Sequence, residues 1–148
     1  TYTGYSALCF AEGLQSKGMI HTIDHNEELV EMQNRYFEQS DYRAQIIQYT
    51  GNAVDIIPTI EGDFDMVYID ADKENYCNYF DLVIDRVPKG GYIIADNVLW
   101  SGKVILPDDP KDEETQRLKE YNLKIQLDDR VQNVLFPIRD GLMIARKL

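Results

Sequence analysis

Two apolar, β-branched runs of this chain stop abruptly at carboxylates: Val67-Tyr68-Ile69-Asp70-Ala71-Asp72-Lys73 and Ile94-Ala95-Asp96-Asn97-Val98-Leu99-Trp100. Buried strands of a parallel sheet have this composition, and polar residues follow where each strand emerges at its carboxyl end. Neighbouring strands lie only about 4.8 Å apart. We therefore expect Asp70, Asp96 and Asn97 to point into one crevice, at the sheet edge where open α/β folds bind ligands.

Strand and helix signals alternate along the rest of the chain, as a mostly parallel α/β sheet requires. Strands are predicted over 19–23, 45–49, 64–70 and 92–96, and helices over 5–14, 27–39, 53–60, 75–86 and 113–126. Within 27–39, the spacing of Leu29, Met32, Tyr36 and Phe37 predicts a core-facing stripe. Asp140-Gly141 separates two late apolar runs, 131–137 and 142–147, which predicts an antiparallel hairpin. The 148 residues suit a single domain over 1–148.

Composition narrows the classes of partner. The chain has 26 acidic and 15 basic residues and a formal net charge of -11, which argues against a nucleic acid or an anionic membrane as partner. No apolar run approaches the roughly 20 residues of a transmembrane helix. Cys9 and Cys77 match no metal-binding or redox spacing, so we predict free thiols and a reducing, cytoplasmic compartment.

Six segments, in order over nearly the whole chain, carry a family resemblance: 1–7, 22–24, 68–76, 88–91, 96–102 and 137–142. The joint occurrence of Asp70-Ala71-Asp72-Lys73 and Asp96-Asn97-Val98-Leu99-Trp100 is the most specific feature. The chain resembles the class I S-adenosylmethionine (SAM) methyltransferases. More narrowly, it resembles the cation-dependent O-methyltransferases of the caffeoyl-CoA and catechol type.

The resemblance implies a seven-stranded, Rossmann-like sheet that ends in the hairpin, and it exposes a departure. Family members carry a central first strand and lid helices upstream of the position of Thr1. We expect both to be missing here, as in a family member that starts late. The first strand would lie between the strand ending at Asp24 and the strand ending at Asp70. Its absence predicts a gap and weak SAM binding by this form.

The resemblance also implies a metal site and a base. Asp70, Asp96 and Asn97 would bind a divalent cation, Mg²⁺ or else Ca²⁺ or Mn²⁺, because these hard ions prefer oxygen ligands. Acids at strand ends that merely enter solvent or cap helices are the alternative. Lys73 would take the proton of the substrate hydroxyl. An ordinary exposed lysine is the alternative at that position.

For the cofactor, the resemblance implies SAM contacts at Thr3, Gly4, Ser6, Asp24, Asn52, Ala53, Asp70 and Asp72. Asp24 would accept from the ribose hydroxyls, and a helix N-cap near Glu27 is the competing interpretation. Thr3, Gly4 and Ser6 would approach the methionine part, and Asn52 and Ala53 would border the adenine. Plain loop roles would explain Asn52 and Asp72 as well.

Two residues are substrate-site candidates. Trp100 would form an aromatic wall, with core packing as the alternative. Arg139 would belong to the same site, with a structural ion pair as the alternative.

The function expected is methyl transfer from SAM to a hydroxyl of a small aromatic diol by a homodimeric enzyme. Two alternatives stay open: a non-catalytic ligand-binding or oligomerising fragment, and a nicotinamide-dependent oxidoreductase. The absence of G-x-G-x-x-G argues against the second.

Overall fold

A computed structural model describes all 148 residues, which divide into two compact units, Thr1–Ile60 and Glu61–Leu148. The first unit contains α1 (Tyr5–Glu12), β1 (Ile20–Asp24), α2 (Val30–Glu38), β2 (Ile46–Thr50) and α3 (Ala53–Ile56). The second contains β3 (Met66–Ile69), α4 (Tyr76–Val83), β4 (Tyr92–Asp96), α5 (Glu113–Leu127), β5 (Val131–Phe136) and β6 (Leu142–Lys147). None of the helices has the length and hydropathy needed to span a membrane.

The first unit is built on a parallel strand pair. β1 pairs with β2 from Ile20 opposite Ile46 to Asp24 opposite Thr50, as the alternating signals predict. Its core joins Ala7 and Ala11 of α1 to Phe37 of α2 and Ile46 of β2. β1 has β2 as its one partner, so its other edge is unpaired.

The predicted core stripe of α2 is wrong at Tyr36. Tyr36 is 43% exposed, whereas Gln33 is fully buried together with Phe37. Residues four apart on a helix lie about 40° apart around the axis, but adjacent residues lie about 100° apart. The face that buries Phe37 therefore buries position 33 and turns Tyr36 toward solvent. An amide occupies that core position because it hydrogen-bonds there.

The second unit is a four-stranded sheet in the order β3-β4-β6-β5. β3 and β4 are parallel, and β4-β6 and β6-β5 are antiparallel, which confirms the mostly parallel start and the C-terminal hairpin. Alternate residues of β4 and β6 are buried, and α4 and α5 pack against the sheet. Phe80, Leu118 and Tyr121 fill that core.

The chain has six strands in two sheets, whereas the resemblance implies seven strands in one. β3 pairs with β4 alone, so β3, like β1, has one unpaired edge. These are the two strands between which the central strand was expected.

Candidate active site

The carboxyl ends of β3 and β4 lie side by side, as predicted. The parallel register places Ile69 beside Ala95, so Asp70 and Asp96 are the next residues along the same edge of the sheet. Each acid follows an apolar residue that is buried in the sheet, Ile69 at 5% exposure and Ala95 at 0%. The strand endings thus bring two carboxylates to one place.

Lys73 is buried among these groups, which contradicts the exposed-lysine alternative. It begins a short 3₁₀ turn after β3, and only 5% of its surface is exposed. Its Nζ donates to Tyr76 Oη at 2.5 Å and to Asn97 Oδ1 at 3.2 Å, and lies 3.6 Å from Asp70 Oδ1. Burial lowers the pKa of Lys73, although the charges of Asp70 and Asp96 oppose that shift.

Tyr76 ties both strand ends to Lys73 and was not singled out from the sequence. It is fully buried, and its hydroxyl donates to the backbone oxygen of Asp96 at 3.0 Å. Burial raises the pKa of Tyr76, so its hydroxyl keeps its proton. The residue closes the 68–76 motif, and that position was the only available signal.

Asp96 is fixed by two hydrogen bonds. Its Oδ2 accepts from the hydroxyl of Tyr68 at 2.7 Å, and its Oδ1 accepts from the backbone N–H of Asn97 at 2.7 Å. Burial and the neighbouring carboxylate raise the pKa of Tyr68, which keeps it a donor. Asn97 has a left-handed φ of 59°, a conformation that Asn tolerates better than most residues.

The oxygen donors of this cluster fit a hard cation. Asp70 Oδ1 and Asn97 Oδ1 both face Lys73 Nζ, so they already converge on one positive charge. No three His, Cys, Asp or Glu residues of the chain are grouped for metal binding, so an ion here requires the amide oxygen of Asn97. Two carboxylates and one amide, completed by water, suit Mg²⁺, Ca²⁺ or Mn²⁺.

Trp100 and Arg139 occupy different surroundings. Trp100 is partly buried, its ring centroid lies 5.4 Å from Lys73 Nζ, and its indole N–H is buried without a hydrogen-bond partner. A wholly buried core role therefore does not describe it.

Arg139 has a left-handed φ of 52°, is exposed, and takes part in none of the ion pairs, so the ion-pair alternative is wrong.

In the first unit, Asp24 closes β1 and faces the loop before α1. Its Oδ2 accepts from the N–H of Tyr2 at 2.6 Å, and its Oδ1 accepts from the N–H of Asn26 at 3.0 Å. Partial burial opposes ionisation, but these backbone donors hold the pKa of Asp24 below its usual range. Asn26 caps the next turn by accepting from Glu28 N at 3.0 Å, so the helix-cap interpretation of Asp24 is wrong.

Gln33 is a second residue that the sequence did not indicate. Its Nε2 donates to the backbone oxygen of Tyr2 at 2.5 Å and lies 3.5 Å from Asp24 Oδ2, and its Oε1 accepts from Gln48. The only available signal was its place on the helix face of Val30 and Phe37, three residues after the first and four before the second. Gln33 thereby fixes the loop that carries Thr3 and Gly4 relative to Asp24.

The remaining candidates have identified local roles. Gly4 precedes α1 with a left-handed φ of 83°, and Ser6 is an exposed residue of its first turn. Asn52 caps α3 by accepting from Val54 N at 3.0 Å, and Ala53 begins that helix. Asp72 accepts from Asn75 Nδ2 and from Tyr79 Oη, each at 2.5 Å. Asn52 and Asp72 therefore both have local hydrogen-bonding roles, and their cofactor contacts stay a prediction.

Comparison with known proteins identifies the family. The sequence pattern described as O-methyltransferase matches residues 1–148. The chain belongs to the O-methyltransferase family. This assignment replaces the nicotinamide-dependent alternative.

Relatives in the family share both sequence and structure with the chain. A caffeoyl-CoA O-methyltransferase from Zea mays is 34% identical over 99% of this chain and 61% of its own length, and one from Arabidopsis thaliana gives the same values. The O-methyltransferase TomG from Streptomyces achromogenes, solved with SAM, aligns with a TM-score of 0.90 and 26% identity, covering 99% of this chain and 70% of that one. A Bacillus cereus O-methyltransferase, solved with SAH, gives a TM-score of 0.88 and 27% identity, covering 99% and 71%. The chain thus spans about three fifths of its plant relatives.

Proposed function

We propose that this protein transfers the methyl group of SAM to a hydroxyl of a small catechol-like aromatic, with assistance from a divalent cation. The observation that carries the proposal is the buried Lys73 ammonium, which lies between the oxygens of Asp70 and Asn97. A lysine with a lowered pKa beside hard oxygen donors suits the deprotonation of a hydroxyl. The relatives solved with SAM and SAH support the choice of cofactor.

The first unit supplies groups suited to SAM. The Asp24 carboxylate is ionised and anchored by two backbone donors, and it suits acceptance from ribose hydroxyls. Thr3, Gly4 and Ser6 form the turn into α1 that would approach the methionine part. Asn52 and Ala53 at the start of α3 would border the adenine.

Asp70, Asp96 and Asn97 would hold the cation, which when bound supplies Lewis acidity and orients the two oxygens of a diol. The hydrogen bonds from Tyr68 and from the Asn97 N–H hold the Asp96 carboxylate in one orientation. Tyr76 holds the Lys73 side chain in the same place.

The chemical step needs one proton transfer and one displacement. Neutral Lys73 would accept the hydroxyl proton on Nζ. SAM, when bound, would supply the methyl group to the substrate oxygen and leave as the thioether, with the electron pair of the carbon–sulfur bond on sulfur. The Trp100 ring, 5.4 Å from Lys73 Nζ, would give a planar substrate an aromatic surface. Much of the rate would come from holding the reactants in this geometry.

Metal dependence tests the proposal in the full-length gene product. Methylation of a catechol acceptor should stop in excess EDTA and return with Mg²⁺ or Mn²⁺. Asp96→Ala should resist rescue at metal concentrations that restore the wild type. Asp128→Ala, which removes a carboxylate paired with Arg130 instead, should behave as wild type. Undiminished transfer in excess chelator would contradict the cation-assisted mechanism.

We also propose that a second copy of the chain pairs along β5. This strand is at the sheet edge, and Val134, Leu135 and Phe136 are between 41% and 49% exposed. Edge strands are usually protected by charge or proline, but residues 131–136 contain neither. The chain has a net charge of -11, so most surfaces of two identical copies would repel each other. The uncharged strand β5 would let two copies pair without that repulsion. Sedimentation should show a dimer that Val134→Lys dissociates, and a monomeric wild type would exclude it.

A further inference from the structure

The turn of the β5–β6 hairpin is bonded to the segment that follows β4. Asp140 Oδ1 accepts from the backbone N–H of Ser101 at 2.5 Å, and the Asp140 carbonyl accepts from Leu99 N at 2.9 Å. The carbonyl of Gly141 accepts from Val98 N at 3.2 Å. Three hydrogen bonds therefore join segments that lie about 40 residues apart in sequence, as the separation of 39 between Ser101 and Asp140 shows.

The segment that follows β4, residues 97–102, has an unfavourable backbone conformation. Trp100 and Ser101 have left-handed φ values of 47° and 54°, and Gly102 follows at 78°. Two consecutive non-glycine residues in this region persist only when the surrounding structure determines them. The Asp140 carboxylate binds the N–H of Ser101, in the middle of this left-handed run.

The hairpin turn and the segment after β4 also approach each other closely at Gly141 and Leu99. A Cβ at Gly141 would lie 2.5 Å from Leu99 Cγ, so the side chain of Leu99 rests on the bare backbone of the turn. Val98 is fully buried beside it in sequence. The segment therefore has little room to move while the turn keeps its shape.

The same segment carries two groups that flank Lys73. Asn97 Oδ1 lies 3.2 Å from Lys73 Nζ, and the Trp100 ring centroid lies 5.4 Å from it. We propose that Asp140 is a positioning residue, which holds the 97–102 segment so that Asn97 and Trp100 face Lys73. This inference rests on the proposed function for its consequence in catalysis, but the positioning itself is measurable without turnover.

Trp100 reports directly on the segment because it is the only tryptophan in the 148 residues. In Asp140→Ala, we expect the emission of Trp100 to shift to the red and its quenching by acrylamide to increase. Asp140→Asn keeps an acceptor oxygen at the same place and should return both signals toward wild type. Asp128→Ala is the matched control. Like Asp140, Asp128 lies just before a strand and accepts from a backbone N–H, that of Arg130 at 3.0 Å. It should leave both signals unchanged.

Activity of the full-length gene product provides the second measurement. Asp140→Ala should lower kcat by about 10- to 100-fold, the range found when supporting contacts of a site are removed. The KM for SAM should stay unchanged, since none of the groups moved belongs to the proposed ribose or adenine contacts. Asp140→Asn should recover most of the lost kcat, because it keeps the hydrogen-bond acceptor. If the negative charge itself were required, Asp140→Asn would not recover it.

Unchanged Trp100 emission and quenching in a folded Asp140→Ala protein would overturn the inference. Where that variant does not fold, amide hydrogen exchange in the wild type decides: a protected Ser101 N–H supports the bond, and free exchange contradicts it. Failure of the methyltransferase proposal gives a different result, because the fluorescence change would then occur in a protein without transfer activity.

Discussion

The ammonium of Lys73 donates to the amide oxygen of Asn97 across 3.2 Å, which joins the turn after β3 to the end of β4. The rings of Tyr76 and Trp100 lie 4.6 Å and 5.4 Å from the same Nζ. The charge is therefore held between oxygen acceptors and aromatic faces, where burial lowers the pKa of the lysine. A lysine whose pKa is lowered gives up its proton more readily, which suits a general base.

Lys73→Met should remove methyl transfer while keeping the fold. Methionine has a similar length and packs well beside aromatic rings, so the cavity stays filled. We expect kcat to fall by about 10² to 10⁴, the range for loss of a general base, with little change in SAM affinity. Single-turnover transfer and calorimetry with SAM measure the two quantities. Lys103→Met, at an exposed lysine, is the control. Wild-type single-turnover rates in Lys73→Met would exclude the proton-acceptor role.

Gln33→Leu should destabilise the first unit although it replaces a buried polar residue with an apolar one. The change removes the donor to Tyr2 O and the acceptor for Gln48 Nε2. Leaving buried polar groups unpaired costs about 1–3 kcal/mol of unfolding free energy. Gln39→Leu, at an exposed position after the same helix, should change it by no more than about 0.5 kcal/mol. Urea unfolding followed by circular dichroism compares them, and equal values would contradict the role of Gln33.

Lowering the pH should reduce the stability that Asp24 contributes to the folded protein. The backbone donors lower its folded-state pKa, so its stabilising effect is complete above the unfolded pKa of about 3.9 and is lost as pH falls through the folded-state value. The wild type should therefore exceed Asp24→Asn in stability at pH 7, and the difference should shrink toward pH 3. Unfolding curves at both pH values measure this. A difference that grows on acidification would mean that the pKa is raised.

The sequence predicted the strands and their endings because those signals are local. The apolar runs that stop at Asp70 and Asp96, and the Asp140-Gly141 turn, depend on neighbouring residues alone. β4 and β6 were predicted with the observed bounds, 92–96 and 142–147. The helix predicted over 53–60 is shorter in the structure, because α3 ends at Ile56 and Pro58 lies in a 3₁₀ turn, Ile57–Thr59.

The contacts that complete the candidate site were not predictable in the same way. The burial of Gln33 depends on a partner 15 positions away, Gln48. The hydrogen bonds from Tyr68 to Asp96 and from Ser101 N–H to Asp140 join residues 28 and 39 positions apart. A polar residue in isolation predicts exposure, and only its distant partner makes burial favourable. The left-handed Ser101 likewise donates its backbone N–H to a distant partner, Asp140.

Gly4→Ala tests the turn that would approach the methionine part of SAM. Gly4 has φ 83°, and a Cβ there would lie 2.8 Å from Phe37 Cε1. Gly62 provides a matched control, because its φ is 88° and a Cβ there meets nothing within 4 Å. Both alanine variants incur the left-handed penalty of about 1–2 kcal/mol, but only Gly4→Ala must also displace a buried ring.

We expect Gly4→Ala to lose more unfolding free energy than Gly62→Ala and to weaken SAM binding, which Gly62→Ala should leave unchanged. Adding Phe37→Leu to Gly4→Ala should cost less than the sum of the two single changes, since the smaller side chain relieves the contact. Urea unfolding of the four variants, with calorimetry of SAM for the first two, measures these effects. Equal losses for the two glycine variants, with strict additivity in the double variant, would show that the approach of Phe37 to Gly4 does not constrain this turn.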